Sequence, residues 1–197
     1  MPAAERRITP ADIVPDAVFA AERKTRRAAL LPAKRLRRIA LGPWCTAYFE
    51  SFETMLFQVQ EMLLIEKGGE AQVADELAAY NPMIPKGAEL TATVMFEIDD
   101  PIRRARLLAD LGGVEDHFFL EIDGTRSEAV QEGDVERTRE DGKTSSVHFL
   151  HFPLTPAQIA AFRAPSARVL LGCDHPKYAH LAVLSDETRA ELARDLG

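Results

Sequence analysis

The sequence predicts an α+β fold: a single domain in which a mainly antiparallel sheet packs with helices around one central buried helix at about residues 53–67. Three observations predict it. The segment ETMLFQVQEMLLIEK (53–67) has a helical period and apolar residues on opposite sides. Residues 89–98 alternate Leu90, Ala92, Val94, Phe96 and Ile98 against Thr91, Thr93, Met95 and Glu97, as a strand with one face on a core does. The second half of the chain is a run of short β-rich segments separated by turn residues. With 197 residues, 46% of them hydrophobic, the chain is long enough to bury a sizeable core, and no linker-like stretch divides it.

Residues 1–15 are expected to be loosely ordered apart from a short turn at Thr9-Pro10. A helix runs from Asp16 to Leu31 and stops before Pro32, with Arg23, Lys24, Arg26 and Arg27 as a solvated cationic face. Residues 35–41 and 44–50 then form a hairpin about Gly42-Pro43. It feeds the central helix, which Ser51 caps and Gly68-Gly69 stop. A further helix spans Glu70–Tyr80, the prolines of 81–87 fix a rigid loop, and the strand 89–98 follows. Asp100-Pro101 opens a helix that Gly112-Gly113 ends. Strands are expected at 117–122, 126–130, 145–152, 167–173 and 178–184, a short helix from the Thr155 capping box, and a last helix from Ser185. The acidic, turn-rich stretch 131–143 is expected to be a mobile loop.

The central helix carries the chemical question. Thr54, Gln58 and Glu61 align at i, i+4, i+7 as a polar stripe, and Glu53 and Gln60 form a second. A carboxylate buried there needs a cation, a histidine, a metal or cleft water. One reading gives Glu61 a structural ion pair with an N-terminal arginine. The other builds a site from Glu61, His148 and His175, with Glu50, Gln60, Asp174, Tyr178, Arg35 or Arg38 around it. His148 and His151 are three apart in a strand, which sends their rings to opposite faces, so they do not chelate one ion. Cys173-Asp174-His175 juxtaposes a thiol, an acid and a base only along the chain. Cys173 reads as a small core residue and Asp174-His175-Pro176 as a turn in which Asp174 accepts backbone N–H bonds, leaving His175 at a loop tip. His117, His151 and His180 read as surface residues.

Charge and motif content narrow the classes. The net charge of −7 is unevenly spread: residues 1–43 hold ten Lys/Arg against four acids, +6, leaving −13 on the rest. An acidic body repels polyanions, so nucleic acid is not the expected partner. There is no long apolar run and no signal-peptide core at the N-terminus, so the expected setting is cytoplasmic and not membrane-spanning, with Cys45 and Cys173 reduced. No Gly-rich phosphate loop, nucleophile elbow or zinc-helix motif occurs.

Several clusters together resemble the bacterial family called domain of unknown function 3501. They are Arg35-x-x-Arg38-x-x-Leu41-Gly42-Pro43, Phe49-Glu50, Phe57-Gln58-x-Gln60-Glu61-Met62, Tyr80-Asn81-Pro82-x-Ile84-Pro85, Glu89-Leu90-x-Ala92-Thr93, Ser145 to Leu150, and Asp174-His175-Pro176-x-Tyr178. The resemblance spans roughly residues 10–196 and implies no established catalytic residue. It implies a genomic setting beside rubrerythrin-like proteins and iron–sulfur oxidoreductases. The expectation is therefore an accessory protein working with such a redox partner near iron or peroxide metabolism, with an enzyme or metal-binding protein built on Glu61, His148 and His175 as the alternative.

Overall fold

Alternating apolar positions sort this chain into two sheets that share one interior. In a computed structural model, which describes residues 5–133 and 142–197, a first helix α1 (Asp16–Leu36) leads into the hairpin β1 (Arg38–Leu41) and β2 (Cys45–Phe49). Then come α2 (Phe52–Glu66), α3 (Gly69–Tyr80), β3 (Glu89–Phe96) and α4 (Pro101–Asp110). The remainder is β4 (Phe118–Ile122), β5 (Thr125–Glu128), β6 (Val130–Gln131), β7 (Val147–Pro153), α5 (Pro156–Arg163), β8 (Val169–His175), β9 (Tyr178–Val183) and α6 (Asp186–Leu192). One sheet has the order β1-β2-β3-β7-β6 and the other β5-β4-β8-β9, all neighbours antiparallel. The predicted α+β class is the fold observed.

The inner faces of both sheets meet in one core that includes Phe49, Val94, Phe96, Phe118, Leu171 and Tyr178. The outer face of the five-stranded sheet is covered by helix: Met55, Val59 and Leu63 of α2 pack with Ile8, Met83 and Ile84 in a second apolar cluster, against which Phe149 leans. α1 lies beyond, joined to α2 by the edge-on rings of Phe19 and Phe57 at 5.5 Å. That is why α2 is apolar on two sides: one faces the sheet layer and the other faces α1.

Four features differ from expectation. α1 continues through Pro32 to Leu36, because Pro32 sits on the exposed side of a solvent-facing helix where the carbonyl it leaves unpaired meets water. α2 does not end on a glycine. Lys67 itself adopts the left-handed conformation (φ 55°) and closes the turn onto the Leu63 carbonyl, while Gly68 opens α3. The N-terminal segment, expected to be loosely ordered, is tied down over residues 8–14. Ile8 is fully buried and exchanges two backbone hydrogen bonds with the Asn81 side chain, at 2.7 and 3.0 Å. In the stretch expected to be a loop, Gln131 belongs to β6, whereas 134–141 lie outside the described residues.

Two buried polar groups join distant segments. The Tyr178 hydroxyl, on β9, donates to the Leu41 carbonyl (2.7 Å) and accepts from the N–H groups of Trp44 (3.1 Å) and Cys45 (3.0 Å). It thereby serves the backbone of the β1–β2 turn, and burial raises its pKa to about 12. Gly42 makes the close approach possible: it has φ +71°, and a Cβ there would lie 2.5 Å from the His180 ring. The second group is Arg37, 4% exposed, between α1 and β1. Its guanidinium donates to Asp195 (2.7 Å), Glu191 (3.0 Å) and the Glu50 carbonyl (3.0 Å).

Tyr178→Phe leaves two buried N–H groups and a carbonyl without that partner, and chemical denaturation should show a loss of about 1–3 kcal/mol. Arg37→Ala strands two carboxylates in a buried setting, so the same measurement should give a larger loss, about 3–5 kcal/mol.

Candidate functional site

The polar stripe on α2 opens into two adjoining hollows. Thr54 and Gln58 line a cavity of about 560 Å³ between α2, α3 and the outer face of the five-stranded sheet, which contributes Tyr48, Thr93, Met95 and Phe149. Gln58 and Glu61 line a groove of about 450 Å³ between α1 and α2. Lys34, Tyr48 and Gln58 belong to both walls, so the two spaces adjoin at these side chains.

Glu50 forms the polar floor of the cavity. It follows β2 and precedes the Ser51 cap of α2. Its N–H bonds to the Thr91 carbonyl (2.8 Å) and its carbonyl to Arg37 (3.0 Å), so its backbone is fixed at both ends. The Oε1 atom accepts from the Thr93 hydroxyl (2.7 Å) and Oε2 from the Thr54 hydroxyl (2.6 Å). Burial pushes its pKa up, against the pull of those hydroxyls and of nearby Lys34 and Arg37. The Thr54 oxygen also lies 3.1 Å from the Ser51 carbonyl and accepts the Ser51 N–H (2.9 Å). Ionised, Glu50 accepts a hydrogen bond from the Thr54 hydroxyl. Protonated, it donates one to the Thr54 oxygen while the Thr54 hydroxyl turns to donate to the Ser51 carbonyl. Either state leaves the network satisfied, so Glu50 can hold or release a proton beside a ligand-sized space without unmaking its surroundings.

The other predicted residues separate. Glu61 pairs with Arg23 through two bonds of 2.6 and 2.5 Å, with Arg27 and Lys34 close enough to help hold its carboxyl below the ordinary range. Its partner is thus an arginine from the face expected to be solvated, and not Arg35, Arg38 or a histidine. Arg35 lines the groove. Arg38 also lines it, lying over the Tyr48 ring at 5.6 Å and 3.5 Å from Glu97. Gln60 closes a two-way bond with the Val14 backbone (2.9 and 3.1 Å), which fastens the N-terminal segment to α2.

His148 is fully buried on the inner side, where its ring meets Phe96 edge-on and its Nε2 lies 2.9 Å from the Ser145 carbonyl. His175 ends β8 and is buried, not held at a loop tip. Its Nδ1 accepts the Lys177 N–H (3.2 Å), its ring meets that of His117, and burial lowers its pKa. Asp174 engages His117 (3.0 Å) and Arg126 (2.9 Å) instead of backbone N–H groups. Glu61, His148 and His175 therefore occupy three separate settings. Among the described residues no group of three or more His, Cys, Asp or Glu side chains is gathered to hold a metal ion. Cys45 and Cys173 are both buried, and burial pushes the Cys45 thiol up and Cys173 to about 11. Protonated at neutral pH, neither is a poised nucleophile.

His151 departs most from its expected surface role. Its ring bridges Glu89 (2.9 Å) and Glu132 (2.5 Å), and Glu132 lines the cavity. Sequence reasoning passed over Lys34, because the helix was ended at Pro32. It also passed over Thr93 and Tyr48, although the strand alternation had already placed Thr93 on the polar face.

A two-sheet α+β protein with a helix-covered outer face, holding a mixed apolar and polar cavity floored by a carboxyl, is the class this geometry defines. The chain belongs to the family described as protein of unknown function (DUF3501), whose model matches residues 7–196. It is similar to a novel protein of unknown function from Burkholderia pseudomallei K96243 whose crystal structure is known. The identity is 35%, over 98% of this chain and 100% of that one, with a TM-score of 0.90. No curated protein matches the sequence.

Burial by itself lowers the pKa of His151, but Glu89 and Glu132 outweigh it and the net shift is upward. Its stabilising contribution is accordingly complete below the unfolded value, about 6.5, and lost as pH rises through the higher folded value. The stability difference between the protein and its His151→Gln variant should be greatest near pH 6, on the order of 1 kcal/mol, and should shrink towards pH 9 in urea titrations.

Proposed function

We propose that the protein binds a small organic molecule in the cavity floored by Glu50. The observation that carries this reading is the floor itself: a carboxyl with a raised pKa, oriented by two hydroxyls, facing a cavity of about 560 Å³. Pockets of this size with apolar walls and a few converging polar groups are where small molecules bind, and perturbed carboxyls collect at such sites. The walls supply apolar surface from Met55, Met83, Met95 and Phe149 and hydrogen-bonding groups from Tyr48, Gln58 and Tyr80. Glu50 then serves as the recognition group for a ligand hydroxyl or amine.

An accessory role beside a rubrerythrin-like or iron–sulfur oxidoreductase partner rests on the family resemblance, and it is compatible with a ligand-binding protein. A pull-down from cells that recovers no such partner would count against it.

Because burial raises the pKa of Glu50, its ionised form costs stability at neutral pH. Glu50→Gln should therefore fold with an unchanged or higher thermal midpoint at pH 7.5. In a ligand-observed NMR screen of metabolite-like compounds, hits on the unaltered protein should weaken at least about tenfold in Glu50→Gln, the loss of one strong hydrogen bond. They should also be blocked by Met95→Trp, which fills the cavity. Hits indifferent to both substitutions would sink the reading.

A further inference from the structure

The groove beside the cavity narrows the kind of molecule, on the premise that the cavity reading holds. Arg27, Lys34, Arg35 and Arg38 line it, and the one carboxylate in its lining among the described residues, Glu61, is already engaged by Arg23. Arg27, Lys34 and Arg35 form no ion pair of 4 Å or less among the described residues, in a chain whose net charge is −7. The groove is apolar as well: Leu31 and Ile65, 44% and 62% exposed, are two of the larger apolar side chains left open to water, and both lie in its wall. Cations over a low-dielectric concavity focus a positive field, and exposed apolar residues beside them offer a surface for the body of the same molecule.

We infer that the ligand is an organic anion, a phosphate monoester or carboxylate, that spans both spaces. Its anionic end lies among Arg27, Lys34 and Arg35. Its apolar body passes the shared wall of Lys34, Tyr48 and Gln58. Its hydroxyl or amine reaches Glu50. Lys34 is the pivot of this arrangement, since its charge acts on both Glu50 and Glu61. The shared wall of the two hollows, and the opposite character of their polar ends, select a molecule with a charged head and a hydrogen-bonding tail over an uncharged one.

Calorimetric titration at low salt with two probes tests this: 4-(hydroxymethyl)phenyl phosphate and its uncharged counterpart, 4-methoxybenzyl alcohol. The phosphate should bind about tenfold more tightly, the effect of one added charge-assisted contact. Arg35→Glu, an exposed substitution, should erase that preference. Glu50→Gln should weaken both probes, and Met95→Trp should exclude both. Equal affinities, or a preference that survives Arg35→Glu, would overturn the anionic end while leaving the cavity reading intact. Phosphate binding that persists in Glu50→Gln and Met95→Trp would reduce the groove to a surface patch and overturn the spanning ligand. Binding by neither probe would overturn this ligand class, while hits that depend on Glu50 in the uncharged screen would still uphold the cavity.

Discussion

The placement of the Arg37 guanidinium is the constraint on which the rest of the molecule depends. It stands where the first helix becomes the first strand, and it reaches Glu191 and Asp195 near the other end of the chain and the carbonyl of Glu50. A buried cation is tolerated only when its donors are met, and these partners meet them with two carboxylates and a carbonyl. The same contacts seat α1 against α6 and fix the point from which β2 turns into α2. The floor of the cavity is therefore positioned by the group that joins the two ends of the fold.

Around that knot the architecture is a division of labour between two faces of one sheet. The inner face takes the aromatic and branched residues that pack on the second sheet. The outer face carries Tyr48 and Thr93 beside Met95, hydroxyls that an apolar cover would leave without water, and α2 meets it with its own polar stripe. Where the polar rows of helix and strand oppose one another, packing leaves a space. The cavity results from this partial mismatch, and α2 supplies part of its wall through Thr54, Met55 and Gln58 while Val59 and Leu63 anchor the same helix in the apolar cluster.

Much of this was legible in the sequence, because local chemistry dictated it. The Ser51 cap, the two-sided apolar pattern of α2, the alternation of 89–98 and the Pro-containing helix starts at 101 and 156 each follow from a few neighbouring residues. The stripe of Thr54, Gln58 and Glu61 follows from the helical period alone, and its members find the partners such groups need, Thr54 in Glu50 and Glu61 in Arg23. What could not be read were partners distant along the chain. Arg35, Arg37 and Arg38 are alike in sequence, and only the folded position shows that Arg37 turns inward to residues more than 150 positions away while the others face the groove. Glu61 found Arg23 because α1 and α2 lie side by side, a tertiary fact. His148 and His151 diverge across their strand as the period of two requires, yet one enters the core and the other a carboxylate pair, which depends on what each face meets.

The span of the Arg37 contacts also bears on how the molecule comes together. Closing a loop of that length is entropically slow, and it happens late compared with hairpins and helices, whose contacts are local. The β1–β2 hairpin and α2 can assemble before it, but the Arg37 guanidinium that holds the Glu50 carbonyl meets its two carboxylates only once α6 and the residues after it have docked. A molecule bound in the cavity would then favour the fully closed chain over any partly assembled one by simple mass action. Occupancy would act as a clasp on the whole fold, although the bound molecule need touch neither end of it.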